Sequence, residues 1–110
     1  NSINLGVKQK LQINNCTINK YGSKLPIPDC IFIGGGLTNI NTEELYEQLK
    51  FGGRMVINSI SIQGQEVINK MHKKYGGDII RINIERNTKI GNFDSLRPMI
   101  SVIHYTLKKV

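Results

Sequence analysis

Three consecutive glycines, Gly34-Gly35-Gly36, follow the apolar run Cys30-Ile31-Phe32-Ile33 and are the residues best suited to hold a ligand through the backbone alone. Lacking side chains, they leave room for a bound group, let the main chain approach it and offer N–H groups to it. A turn that holds nothing is the alternative at this position. Asn58 closes a second apolar run, with Ser59 and Ser61 just beyond it. Its amide can donate and accept hydrogen bonds at once, although a plain strand-end turn residue is equally compatible. Other chemistries lack their residues. No lysine with a neighbouring Ser or Thr follows the glycines, so nucleotide hydrolysis is not expected. Ser59, Ser61 and Ser95 are not framed as a nucleophile elbow, and His72 and His104 have no evident partner in sequence. Cys16 and Cys30 form no CxxC pair and have no histidine at metal-ligand spacing, so two buried thiols and no metal site are expected.

The elements that would position these residues alternate between strand and helix. Residues 1–8 resemble the tail of a helix ended by Gly6, and Lys10-Leu11-Gln12-Ile13 alternates as a short strand closed by Asn14-Asn15. Cys30 to Ile33 reads as a parallel strand buried on both faces. Asn41 and Glu44 form a capping box, with Ile40 and Leu45 at the staple positions, and Leu45 and Leu49 then face the sheet. Gly52-Gly53 ends that helix and Arg54 to Asn58 resumes a strand, which makes a parallel crossover unit. Val67, Ile68, Met71 and Tyr75 lie at helical spacing, His72, Lys73 and Lys74 suit the negative end of the helix dipole, and Gly76-Gly77 stops the helix. Ile80, Ile82 and Ile84 alternate with polar residues, and after a polar connection the run Ile100 to Leu107 is strand-like again. With no helix between them, these last two strands should pair antiparallel. In such an open α/β sheet, ligands bind beyond the carboxyl ends of the strands, so the turns after Ile13, Ile33 and Ile57 are the expected site.

Several of these segments carry a family resemblance. Leu49-Lys50-Phe51-Gly52-Gly53-Arg54-Met55-Val56 resembles the L-K-P-G-G-R segment before the fifth strand of class I methyltransferases, with Phe51 in place of proline. Pro28 to Gly36 resembles the P-D-x-hydrophobic-F-I-G-G strand of the decarboxylating carbon-15 methyltransferases of cobalamin biosynthesis, and Val56 to Ser61 resembles their N-A-V-T strand end. Ile82 to Arg86, Ile90-Gly91, Leu96-Arg97-Pro98 and Val102 to Tyr105 follow that family's closing strands in order. The resemblance implies a Rossmann-like class I methyltransferase sheet of parallel strands with a C-terminal antiparallel pair. It also implies an enzyme that uses S-adenosyl-L-methionine to methylate a precorrin at carbon 15, with loss of carbon dioxide from the acetate on carbon 12. By the same resemblance, Asn15, Cys16, Thr17, Gly34 and Gly35 are the cofactor-binding candidates, although Asn15 to Thr17 depart from the G-D-A-like triplet of relatives. Gly35, Gly36, Asn58, Ser61 and Arg97 are the substrate-binding candidates, with Arg54 and Arg81 as further carboxylate partners. No catalytic acid or base is assigned, since such a transfer depends chiefly on orientation and exclusion of water.

Fifteen Lys and Arg against eight Asp and Glu give a net charge of +7, which suits an anionic tetrapyrrole partner. Lys70, Lys73, Lys74, Lys108 and Lys109 are also expected as plain surface charges. Four tyrosines and three phenylalanines do not interleave with the lysines, so a nucleic-acid stacking platform is not expected. No apolar run approaches the roughly 20 residues of a membrane span, and a cytoplasmic enzyme that forms a homo-oligomer when intact is expected. The family's first glycine-rich loop and the acidic residue of its second strand do not occur before the segments described. Residues 1–110 therefore read as the C-terminal part of one methyltransferase domain, with the N-terminal strands missing and the edge of the Cys30 strand exposed. The alternatives are another class I methyltransferase acting on RNA or a small molecule, and a non-catalytic interaction module.

Overall fold

A computed structural model describes residues 25–110 together with Gly6, Leu11 and Ile18. The expected helix tail over residues 1–8, the strand over Lys10 to Ile13, the surroundings of Cys16 and the Asn15-Cys16-Thr17 turn lie outside the described residues apart from those isolated positions.

Among residues 25–110, six strands and two helices follow in chain order: β1 (Cys30–Ile33), α1 (Thr42–Gln48), β2 (Arg54–Ser59), α2 (Ile62–Tyr75), β3 (Asp78–Ile82), β4 (Glu85–Ile90), β5 (Phe93–Pro98) and β6 (Val102–Lys108). A 3₁₀ turn, Leu37–Asn39, leads into α1. The main sheet has the order β1-β2-β6-β3. β1 and β2 run parallel with Ile33 opposite Ile57, as the strand-helix-strand order requires, and β6 lies antiparallel between β2 and β3. The expected closing antiparallel pair is thus β3 with β6, and β6 joins it to the parallel half.

Local chemistry sets the helix limits. The Asn41 side chain accepts a hydrogen bond from the Glu44 N–H at 3.2 Å, satisfying one of the free donors at the start of α1. α2 ends at Gly76 (φ 79°), with His72, Lys73 and Lys74 in its last turn. One face of the sheet, through Met55, Ile57, Ile103, Tyr105 and Leu107, packs against Ile68 and Met71 of α2 and against Leu37, Leu45 and Leu49. Tyr105 sits at the centre with no exposed surface, and its hydroxyl donates to the Gly76 carbonyl at 2.6 Å. The strand thereby fixes where α2 ends. Among the described residues no helix is long and apolar enough to cross a membrane.

Three expectations need correction. β1 is not buried on both faces: Phe32 is 65% exposed, and Cys30 is an exposed free thiol instead of a buried one. The reason is position, since β1 has β2 as its one partner among the described residues and so forms an edge. Lys109 is not a surface charge. It is buried, donating from Nζ to the Glu47 carbonyl at 2.8 Å, with its ammonium over the rings of Tyr46 and Phe51. The segment between β3 and β6 is not a plain polar connection. It forms the two-stranded sheet β4–β5, a hairpin turning at Gly91-Asn92. His104 is a strand residue as expected, and it meets Asn58 only through strand register.

Candidate functional site

The carboxyl ends of β1 and β2 lie side by side, and the backbone leaves each by a different route. After Ile33 the chain enters the glycine turn, where Gly36 adopts φ 67°, a left-handed conformation that costs glycine little, and caps the 3₁₀ turn. After Ser59 it turns into α2, whose N-cap is Ser61, with its hydroxyl oxygen accepting from the Gly64 N–H at 2.9 Å. Gly64 is required by close approach, because a Cβ there would overlap Ser59 Oγ and lie 2.8 Å from Ser59 Cβ. This contact seats the first turn of α2 directly on the end of β2.

Between these two exits lies a cleft of about 500 Å³ lined by Gly34, Gly35, Gly36, Leu37, Thr38, Asn58, Ser59, Ile60, Ser61 and Val102. Five of the candidate residues named from sequence, Gly34, Gly35, Gly36, Asn58 and Ser61, therefore share one cavity. Gly34 and Gly35 also form the end wall of a second, apolar cleft of about 380 Å³ that runs along β1. A side chain built at Gly35 would meet no atom within 4 Å. The turn is thus open enough for a ligand to pass against its backbone.

Asn58 is held in a defined orientation. In the β2–β6 register it stands opposite His104, and His104 Nδ1 lies 2.6 Å from Asn58 Oδ1. An amide oxygen can only accept, so the imidazole proton is on Nδ1 and donates to it. The Asn58 amide nitrogen then keeps its two N–H donors for a ligand in the cleft. His104 was not legible as a functional residue, since nothing in the local sequence shows that its strand returns beside Asn58. Ser61 differs from Asn58 in that its hydroxyl oxygen is engaged by the helix cap, which leaves its proton as the group to offer.

The arginines separate. Arg54 begins β2, at the opposite end of the strand from Asn58, roughly 13 Å away at the usual strand rise, and lines a different cleft with Asp78 and Lys108. Arg81 donates to Gln65 Oε1 at 3.4 Å. Neither lines the cleft at the glycine turn. Arg97 lies in an adjoining cleft of about 640 Å³, and this cleft shares Ile60 and Val102 with the one that holds Asn58. Asn15, Cys16 and Thr17 lie outside the described residues.

Comparison with known proteins places this geometry in a family. The chain is 38% identical over 86 residues to a precorrin-6Y C(5,15)-methyltransferase [decarboxylating] of Sinorhizobium sp, a match that covers 77% of this chain and 21% of that protein. A precorrin-6Y C5,15-methyltransferase domain solved from Corynebacterium diphtheriae superposes with a TM-score of 0.89 at 29% identity, covering 99% of this chain and 65% of that one. The C-terminal domain of precorrin-6Y C5,15-methyltransferase from Rhodobacter capsulatus superposes equally well, at 0.89, but at 22% identity it speaks for the fold alone, covering 98% of this chain and 59% of that one. The chain thus spans about a fifth of the curated relative and just under two thirds of the solved Corynebacterium domain. The family model of the precorrin methyltransferase domain matches residues 1–109, and together with a class I methyltransferase sheet that superposes on such domains this shows that the chain belongs to the precorrin methyltransferase domain family.

Proposed function

We propose that the domain to which these residues contribute transfers a methyl group from S-adenosylmethionine to carbon 15 of a precorrin, with loss of carbon dioxide from the acetate on carbon 12. Beside the family membership, the observation that carries this reading is the meeting of an open glycine turn and an oriented amide in one cleft at the carboxyl edge of the sheet. That edge is where open α/β sheets bind their ligands.

When bound, the cofactor supplies an electrophilic methyl on a sulfonium sulfur. The residues present fit such a group: Gly34 and Gly35 put bare backbone along both clefts, and the space beside Gly35 would otherwise be filled by a side chain. Gly35 and Gly36 line the cofactor-facing side of the substrate cleft, while Asn58 and Ser61 face them from the ends of β2 and α2. Asn58 donates its amide hydrogens to a carbonyl or carboxylate of the macrocycle, and His104 keeps that amide from rotating. The chemistry requires little more. Bound along Gly34 and Gly35, the cofactor would supply the methyl and leave as S-adenosylhomocysteine, while Asn58 and Ser61 would hold the macrocycle as its severed carboxylate bond returned an electron pair to the ring. Orientation is the protein's contribution, with no acid–base triad needed.

Gly35→Val tests the cofactor half of this reading. The free space at Gly35 predicts that the full-length variant keeps its thermal stability, while calorimetry shows its affinity for S-adenosylhomocysteine at least about tenfold weaker, as expected when a side chain fills a ligand contact. Unchanged affinity in a folded variant would remove the glycine turn from the cofactor site.

A further inference from the structure

The β4–β5 hairpin carries an arrangement that the fold does not account for. Arg86 and Arg97 stand directly opposite each other across the two strands. Like charges in that relation repel, and a strand pair free to choose would avoid them. Neither guanidinium has a hydrogen-bond or ion-pair partner among the described residues. Alternation along the strands puts Thr88 and Ser95 on the same face as the two arginines, whereas Glu85 and Asp94 fall on the other, where Asp94 is already paired with Lys89 at 3.1 Å. One face of the hairpin is therefore doubly cationic, carries hydroxyls and lacks a carboxylate.

That face opens into the adjoining 640 Å³ cleft, whose remaining wall includes Ile60, Met99, Ile100 and Val102. An apolar wall beside two guanidiniums that lack a partner among the described residues suits a ligand with a flat apolar body and carboxylates at its rim. Each guanidinium can take a carboxylate in a two-bond fork, which a lysine could not do. Position supports the same ligand: Ile60 and Val102 line this cleft and the Asn58 cleft alike, so one large molecule can occupy both. The base of the hairpin is fixed, with the Met99 N–H donating to the Ile84 carbonyl at 2.8 Å and Ser101 Oγ bonded to Asn83 Oδ1.

We infer that Arg86 and Arg97 form a carboxylate clamp, which holds one peripheral acid group of a polycarboxylate macrocycle while its reacting edge lies against Asn58 and the glycine turn. The inference rests on the proposed function and adds to it the residues that select the substrate by its rim charges.

The test titrates the full-length protein with uroporphyrin, a stable octacarboxylate tetrapyrrole, by fluorescence, and with S-adenosylhomocysteine by calorimetry. Arg86→Gln and Arg97→Gln should each weaken uroporphyrin binding about tenfold, the size of losing one charge-assisted contact, and leave S-adenosylhomocysteine affinity unchanged. Removing one of two repelling charges should also leave the melting temperature equal or higher, which separates the effect from loss of folding. Arg97→Lys should recover part of the affinity. Unchanged uroporphyrin binding in the double variant overturns the clamp, and so does a loss confined to a single-stranded RNA oligonucleotide used in its place. If the wild type fails to bind S-adenosylhomocysteine yet binds uroporphyrin through these arginines, the cofactor reading falls and the clamp stands.

Discussion

Replacing Asn58 with leucine is expected to slow the proposed methyl transfer by about two orders of magnitude, the cost typical of losing one oriented donor or of misplacing a substrate by about an ångström. The side chains are similar in size, so the sheet should persist. Two things are lost at once: the amide donors that face the cleft, and the acceptor that holds the His104 Nδ1 proton. His104→Phe separates them. It preserves Asn58 but frees its amide to rotate, so the donor is present without being aimed, and a smaller loss, about tenfold, should follow. If the amide acts on the reacting macrocycle, the loss in Asn58→Leu falls on kcat, whereas a residue that only binds substrate would raise KM with kcat unchanged. Turnover within twofold of wild type in Asn58→Leu would show that this strand end does not meet the substrate.

The largest stability effect is expected at Tyr105. Truncation to alanine removes the largest fully buried side chain from the contact between β6 and α2, and a loss of about 3–5 kcal/mol should appear in urea titration. Tyr105→Phe keeps the ring and loses the bond to the Gly76 carbonyl, which should cost about 1 kcal/mol near neutral pH. The two proteins should diverge less as the solution becomes alkaline. Burial, reinforced by Tyr46 and Tyr75, pushes the Tyr105 hydroxyl up to about 12. The folded state therefore keeps its proton after the unfolded chain, titrating near its ordinary value of about 10, has begun to lose its own. Below that value the phenol is neutral in both states and its contribution is complete. Between about pH 10 and 12 the unfolded chain binds fewer protons, so stability falls as pH rises. The phenylalanine variant lacks this component, and its stability should decline less over the same interval. Parallel declines for the two proteins would show that Tyr105 is not the titrating group.

What could be read before the structure depended on how far the information lies from its consequence along the chain. The capped start of α1, the basic, glycine-ended finish of α2, and the apolar stripe of Ile68 and Met71 are local patterns, and the structure has them where the sequence pattern puts them. The parallel pairing of β1 and β2 follows from the helix between them. Facts that depend on which strand neighbours which were not legible. Phe32 and Cys30 look like core residues in a run of apolar types, yet both are exposed; the open edge beside them among the described residues was implied by the family resemblance and not by the run itself. His104 gains its role from a partner 46 residues earlier, brought opposite by the insertion of β6 into the sheet. Arg54 has the right charge at the wrong end of its strand. The β4–β5 hairpin offered one local sign, the two-residue Gly91-Asn92 turn, but its strands are mostly polar and exposed, so the hydrophobic alternation that reveals a strand was missing. With that hairpin unread, Arg86 and Arg97 had no reason to be considered as a pair.

The most direct test of the account supplies the full-length protein with a precorrin and S-adenosylmethionine carrying a carbon-13 methyl, then follows the macrocycle by mass spectrometry and NMR while measuring released carbon dioxide. One labelled methyl at carbon 15 is expected for each carbon dioxide released. Label appearing on RNA and not on the macrocycle, or a macrocycle methylated at carbon 15 with its carbon 12 acetate intact, would contradict it.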